Sequence, residues 1–336
     1  MSDYALRVKD LDVHYYTDEG IVKAANKINF DLKPGERLGL VGESGSGKST
    51  LALAILRMIK PPGRIAGGQI LLGDTDLTQL TEEEMRQVRA QHISMVPQGA
   101  MNSLNPVMRI KDQIIDSMVD HNLALSRAEM KERANHALEA VELNVKVGDM
   151  YPHQLSGGMK QRACIAISMA MSPQVIIADE PTSALDVVTQ RQVMQTIGRL
   201  QEQMGSAVIL IGHDMGLMAQ FVHRMAVMYA GSLVEVSTIQ DTFTAPLHPY
   251  TEMLIDSLPV LGKRGVFKGI PGITPLLRDL PPGCVFNNRC PKAMNVCKEQ
   301  IPAFNEYAPE HWAACHLHDP VHGKVQAKVY ENTGRK

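Results

Sequence analysis

Short apolar runs alternate along the chain with stretches whose apolar residues recur at helical spacing. This is the pattern of a wound α/β domain with a mostly parallel sheet. Arg37–Val41, His92–Val96, Gln174–Ala178 and Ala207–Ile211 read as strands. The last two are almost wholly apolar, which predicts central strands. A helical insert is predicted at about 105–155, between the second and third strands. Its evidence is Ile110–His121 and the capping box Ser126-Arg127-Ala128-Glu129, followed by Met130, Ala134, Ala137, Leu138 and Val141. Ala226–Val236 predicts a hairpin turning at Gly231-Ser232.

After Ala245 the texture changes. A short helix is predicted from Pro249 to near Pro259. From Pro259 to Gly283, ten of 25 residues are Gly or Pro, too many for regular structure. Four of the five cysteines then fall between Cys284 and Cys315. The chain therefore reads as a first domain over 1–245 and a small, irregular, cysteine-rich C-terminal domain over 246–336. A length of 336 residues agrees with two domains.

Charge narrows the partners. With 34 basic against 36 acidic residues the net charge is −2, which argues against a protein that holds nucleic acid by its phosphates. Apolar residues make up 44%, enough for a sizeable core. No apolar run approaches membrane length, and Met1-Ser2-Asp3-Tyr4 does not open a signal peptide. The expectation is a soluble, cytosolic chain that meets a membrane only from its surface.

The segment Gly42-Glu43-Ser44-Gly45-Ser46-Gly47-Lys48-Ser49-Thr50 has the phosphate-loop pattern. Its glycines let successive backbone N–H groups turn inward around a phosphate, and the next helix directs its positive end at the same anion. Lys48 is placed to reach the β- and γ-phosphates, and Ser49 to offer a hydroxyl to Mg²⁺. It also lies between a predicted strand and a predicted helix, Lys48–Met58, as that chemistry requires. Asp179 and Glu180 end a buried strand, where ligands sit in open α/β sheets. Asp179 is placed to hold Mg²⁺, and Glu180 to orient and deprotonate an attacking water. Leu155-Ser156-Gly157-Gly158-Met159-Lys160-Gln161-Arg162 opens a helix running to about Met171, with Ser156 as its cap. It is a second phosphate-binding helix start, and the simplest use for it is an ATP held by another subunit.

Together the phosphate loop, the Ser-Gly-Gly signature, Asp179-Glu180 and Ser183-Ala184-Leu185-Asp186 resemble the ATPase subunit of an ABC transporter over about residues 4–245. The resemblance implies a head-to-tail dimer, each ATP lying between one phosphate loop and the opposite Ser156-Gly157-Gly158. It further implies that Gln98 contacts Mg²⁺ or the attacking water, His213 meets the γ-phosphate and Asp186 bridges protomers. Tyr15 resembles the aromatic that stacks on adenine, with the adjacent Tyr16 as its alternative. Met159 stands where many relatives have Gln. Activity is still expected, because the main contacts there come from Ser156 and the glycine backbone.

Cys284, Cys290, Cys297 and Cys315 have the spacing C-x5-C-x6-C-x17-C. In a cytosolic chain this suggests metal, although the gaps fit neither zinc knuckles nor ferredoxin runs, and unligated buried thiols are the alternative. His311, His316 and His318 are near enough in sequence to replace one ligand, while Cys164 reads as core. Pro246-Leu247-His248-Pro249-Tyr250-Thr251 with Gly283-Cys284-Val285-Phe286 resembles the oligopeptide and dipeptide importer subfamily. That resemblance implies a four-iron–four-sulfur cluster on the four cysteines, a structural staple in one reading and a redox sensor in another.

The resemblance further implies a companion ATPase subunit, often a paralogue, two membrane permease subunits and an extracytoplasmic solute-binding protein. The site is then the cytoplasmic face of the cell membrane, with ATP and Mg²⁺ as cofactors and peptides as cargo. Oligosaccharides and nickel complexes are the alternative cargoes. A soluble ABC protein acting on DNA or the ribosome is the rival reading. The chain has neither a long coiled-coil insertion nor a second cassette to support it.

Overall fold

The computed structural model describes residues 3–99, 103–183, 185–258 and 269–321. Twelve strands form two sheets among these residues. The strands are β1 (Leu6–Thr17), β2 (Gly20–Leu32), β3 (Arg37–Val41), β4 (Gly63–Leu72), β5 (Thr75–Asp76) and β6 (Ile93–Val96). They continue as β7 (Val175–Asp179), β8 (Ala207–Ile211), β9 (Arg224–Tyr229), β10 (Ser232–Thr238), β11 (Asn305–Ala308) and β12 (His311–Ala313). The smaller sheet, β2-β1-β4-β5, is antiparallel throughout. The larger runs β11-β12-β10-β9-β3-β8-β7-β6, parallel from β9 to β6 and antiparallel beyond.

The parallel strands are buried on both faces, which is why they read as apolar runs without alternation. Successive residues nevertheless go to different cores. Val175, Ile177, Ile209 and Ile211 face the antiparallel sheet and the first helix, α1 (Lys48–Ile55). Ile176, Ala178, Val208 and Leu210 face the opposite core. That second core is covered by α3 (Ile110–Asp120), α4 (Arg127–Ala140), α5 (Gly157–Met169) and α6 (Val187–Met204), while α2 (Glu82–Val88) lies outside it. The helical insert is thus real, and Ser126 caps α4 in a complete capping box with Glu129.

Boundaries differ from the sequence reading by one to three residues. Helix α1 stops at Ile55 instead of Met58 because Arg57 has a left-handed φ of 50°. Helix α5 ends at Met169 instead of Met171. The hairpin turns one residue earlier than expected: Ser232 pairs with Tyr229, so the turn is Ala230-Gly231, with φ of 45° and 81°. Two positive φ values match the right-handed twist of the flanking strands.

The cysteine-rich extension, expected as a domain of its own, has no separate core among the described residues. Strand β12 pairs with β10 and extends the main sheet. Tyr250, Phe286, Cys284 and Cys297 are buried in the same cluster as Val41 and Val227. Phe286 packs edge-on to Tyr229 at 5.1 Å and tilted against Tyr250 at 5.2 Å. Too few apolar residues follow position 245 to close a core alone, so the segment uses the one already present.

The junction between sheet and extension is polar at its centre. Buried Glu235 of β10 accepts hydrogen bonds from the N–H groups of Leu247 and His248 and pairs with His311 at 2.7 Å. The Nδ1 of His248 accepts from the N–H of Tyr250. Burial drives the His248 pKa down to about 4, against the pull of Glu235 and helped by His318. Folded His248 is therefore neutral, whereas the unfolded residue takes up a proton near pH 6.5. Stability from this site is complete above pH 6.5 and is lost as pH falls toward about 4. The loss is on the order of 3 kcal/mol. Urea unfolding of the parent and of His248→Asn between pH 4 and 7.5 should give a clearly shallower decline for the variant.

Candidate active site

The phosphate loop joins β3 to α1, and its neighbours leave no room for side chains at two positions. A Cβ on Gly42, at φ 150°, would lie 2.0 Å from the carbonyl oxygen of Met228. On Gly47, at φ 102°, it would lie 2.1 Å from that of Ala24. The loop is thus wedged between the β9–β10 hairpin and the antiparallel sheet. Lys48 is buried and donates to the carbonyls of Gly42 and Glu43, both at 2.9 Å, and to the Ser46 hydroxyl at 3.3 Å. Burial lowers its pKa, while Glu180, Asp179 and Glu43 work in the opposite direction. Those carboxylates therefore lie within electrostatic reach of one ammonium group.

Strand order explains why they do. β3, β8, β7 and β6 are adjacent and parallel, so their carboxyl ends deliver the phosphate loop, His213, Asp179-Glu180 and Gln98 to one edge. Gln98 donates to Glu180 Oε2 at 2.8 Å, and His213 Nδ1 stands 3.7 Å from Oε1 of the same carboxylate. Glu180 has a left-handed φ of 45°, with its N–H donating to the carbonyl of Ile211 at 2.9 Å. A non-glycine residue is held there only when its surroundings fix it, and such strain gathers at functional sites.

Asp179 is buried, and burial followed by the charge of Glu180 raises its pKa, with Ser49 hydrogen-bonding to it. Its Oδ1 is enclosed and has no hydrogen-bond partner. An orphaned carboxylate oxygen beside a serine hydroxyl fits Mg²⁺, a hard cation that takes oxygen ligands and keeps waters.

Ser156 caps α5, accepting from the N–H of Met159 at 3.4 Å. Asp186 caps α6, accepting from the N–H groups of Val188 and Thr189 and from the Thr189 hydroxyl at 2.6 Å. Gly158 abuts that same Thr189, where a Cβ would lie 2.9 Å from its methyl. Signature and Asp186 are thus neighbours. Among the described residues no hydrogen bond or ion pair joins Ser156–Gly158 to the phosphate loop. Next to Asp186, Val187 and Val188 are 80% and 68% exposed. Tyr15 is half-buried with its ring over Gly63, while Tyr16 is exposed, with Arg64 4.1 Å above its ring. Ala184 and residues 100–102, beyond Gln98, lie outside the described residues.

The four tail cysteines do not bear out the iron–sulfur expectation. Cys284, Cys297 and Cys315 are buried and Cys290 is half-buried. Burial pushes the Cys284 thiol up to about 11 and that of Cys315 up to about 12, and the latter feels the other three. Among the described residues, however, no three His, Cys, Asp or Glu side chains are grouped so as to hold a metal ion. The histidines that could have replaced a ligand are engaged elsewhere. His311 bonds Glu235, His316 the carbonyl of Gln300 and His318 that of Leu247. Cys164 is buried in α5, its thiol likewise raised to about 12.

Three residues that sequence reasoning missed bear directly on the loop. Tyr250, Thr274 and Arg289 all bond to Glu43 from segments more than 200 positions away. Periodicity carries no signal for such contacts. The Pro246–Thr251 motif includes Tyr250 and the cysteines mark the tail, yet neither points to the phosphate loop.

Comparison with known proteins agrees with this geometry. A family model described as ABC transporter matches residues 25–183, and one described as the C-terminal region of the oligopeptide/dipeptide transporter matches 234–297. The chain is 44% identical to a probable peptide ABC transporter ATP-binding protein of Sinorhizobium fredii, over 94% of this chain and 95% of that protein. It is 41% identical to the oligopeptide transport ATP-binding protein OppD of Escherichia coli, over 94% and 93% respectively. The ATP-binding cassette MJ0796, solved as a dimer bound to ADP and Pi, has a TM-score of 0.63 at 29% identity, covering 70% of this chain and 98% of that one. A phosphate loop completed by the ends of three neighbouring parallel strands, carried on a chain this similar throughout, belongs to the ATP-binding subunits of oligopeptide and dipeptide ABC transporters.

Proposed function

We propose that this chain binds ATP with Mg²⁺ and hydrolyses it to drive peptide import through a membrane complex. The observation that carries the reading is the convergence of Gln98 and His213 on Glu180, beside Asp179 and Lys48. The N–H groups of residues 42–50 cradle the phosphates, and Lys48 turns from the loop carbonyls to the β- and γ-phosphates. Tyr15 stacks on the adenine. Asp179, Ser49 and Gln98 are the residues that hold Mg²⁺, which neutralises phosphate charge when bound. Glu180 takes a proton from the attacking water, Gln98 fixes the carboxylate by its amide, and His213 reaches the γ-phosphate. Phosphate and ADP leave.

Ser156, Gly157, Gly158 and Asp186 serve the ATP of a second ATPase subunit, a paralogue or another copy. Support comes from the exposed valines beside Asp186 and from the dimer formed by the related cassette. Among the described residues no helix is long and apolar enough to cross a membrane, so passage of cargo falls to permease subunits. The chain is then a peripheral subunit at the cytoplasmic face, with an extracytoplasmic solute-binding protein as the source of cargo. Peptide is the cargo class because relatives over nearly the whole length are named for peptides, dipeptides and oligopeptides.

Glu180→Gln should keep ATP affinity and lower the rate of phosphate release by about 100-fold or more. Turnover at the parental rate would remove Glu180 from its role. In Asp179→Asn the buried anion is gone. Mg²⁺ should then no longer tighten nucleotide binding, as read by titrating a fluorescent ATP analogue with and without EDTA. In the reconstituted complex, binding protein loaded with short peptides should stimulate ATPase activity, and binding protein loaded with oligosaccharide should not.

A further inference from the structure

Glu43 is the single acidic residue of the phosphate loop, and it is held at three points. Its carbonyl accepts from Lys48 at 2.9 Å, and its N–H donates to the hydroxyl of Tyr250 at 3.0 Å. Its carboxylate takes both terminal nitrogens of Arg289, at 2.7 and 2.9 Å, and a hydrogen bond from the Thr274 hydroxyl. Two parallel bonds to a guanidinium fix direction as well as distance.

Arg289 is itself fully engaged. Its side chain is 5% exposed. It donates to the carbonyls of Pro271 and Ile270 and to the hydroxyls of Tyr229 and Thr274, besides Glu43. A buried cation is tolerated only when paired and hydrogen-bonded to this extent. Every one of these partners except Glu43 and Tyr229 comes from the segment 270–274, so the extension supplies both the cation and most of its cradle. The anion it meets stands at the first turn of a loop whose ligand carries several negative charges. An unpaired carboxylate there would repel that ligand across a weakly screened distance. Burial alone would raise the Glu43 pKa, yet Arg289 and Thr274 keep the carboxyl ionised, below its ordinary range.

We infer that Arg289 is a positioning residue for ATP binding: acting through Glu43, it fixes the first turn of the phosphate loop and cancels the negative charge beside it. It touches no substrate. The inference rests on reading residues 42–50 as the nucleotide site, so its test includes a variant that examines that reading separately.

The measurement is the affinity of the full chain for a fluorescent ATP analogue, with a thermal midpoint recorded for each variant. Arg289→Met should raise the Kd about tenfold, because it frees the carboxylate. Adding Glu43→Gln to Arg289→Met should recover part of the lost affinity, because no charge then needs cancelling although the paired bonds to the loop are still gone. A residue that only tethered the extension would lower the midpoint in both variants and give no recovery of affinity. Arg289→Lys keeps the buried cation and guards against a Met variant that fails to fold. Because Lys keeps the charge but not the paired bonds, its Kd should fall between those of the parent and of Arg289→Met. The inference is overturned if Arg289→Met binds within about twofold of the parent, or if the double variant binds no better than the single. It is equally overturned if the Lys variant loses as much as the Met variant. Parental affinity in Lys48→Ala would instead remove the nucleotide site from residues 42–50, and the inference with it.

Discussion

The parallel pairing of β6, β7, β8 and β3 governs nearly everything else in this molecule. Each strand is four or five residues long and buried on both faces. Polar side chains can therefore escape only at the strand ends. Because all four strands point the same way, those ends coincide, and the phosphate loop, Gln98, Asp179, Glu180 and His213 meet without any long loop to gather them. One reversed strand would send its residue to the far side of the sheet, some 15 Å or more away at about 3.3 Å per residue. The chemistry is thus a product of strand direction before it is a product of any single side chain.

Within that frame the site mixes buried and exposed parts in a way that suits its task. Lys48 and Asp179 are enclosed, each with its pKa displaced by burial, so a phosphate and a cation there are met by groups already stripped of water. Glu180 stands in a strained backbone conformation with one hydrogen bond fixing its carboxylate. His213 is 75% exposed, ready to meet a group that arrives from outside. Such a gradient from dry floor to open rim suits the proposed hydrolysis, which needs water at the rim and little of it around the buried charges.

Much of this could be read from the chain. The phosphate loop, the Asp179-Glu180 pair and the capped helix at Ser156 carry local signals, because glycine, a cap and an apolar run act on their immediate neighbours. Gln98 and His213 have no such signal and came only through resemblance to a family; alone they are an amide and an imidazole after a strand. The extension was the least legible. Its four cysteines stand out by their spacing, whereas the contact that reaches the phosphate loop is made by Arg289, beside one of them. Ion pairs between distant segments leave no period in a sequence. Neither does the pairing of β12 with β10, which depends on a hydrogen-bonding edge that any backbone offers.

The bond between Glu43 and Arg289 spans 246 positions, and that span has a consequence in time. A growing chain is made at about 5–20 residues per second, so the loop leaves the ribosome roughly 12 to 50 s before its anchor exists. β9, which flanks β3 in the finished sheet, also arrives late. For most of its synthesis the chain therefore carries a phosphate loop that neither its sheet nor its extension yet holds. A chain truncated before position 289 would keep the whole phosphate-loop motif while lacking the guanidinium that pairs with Glu43.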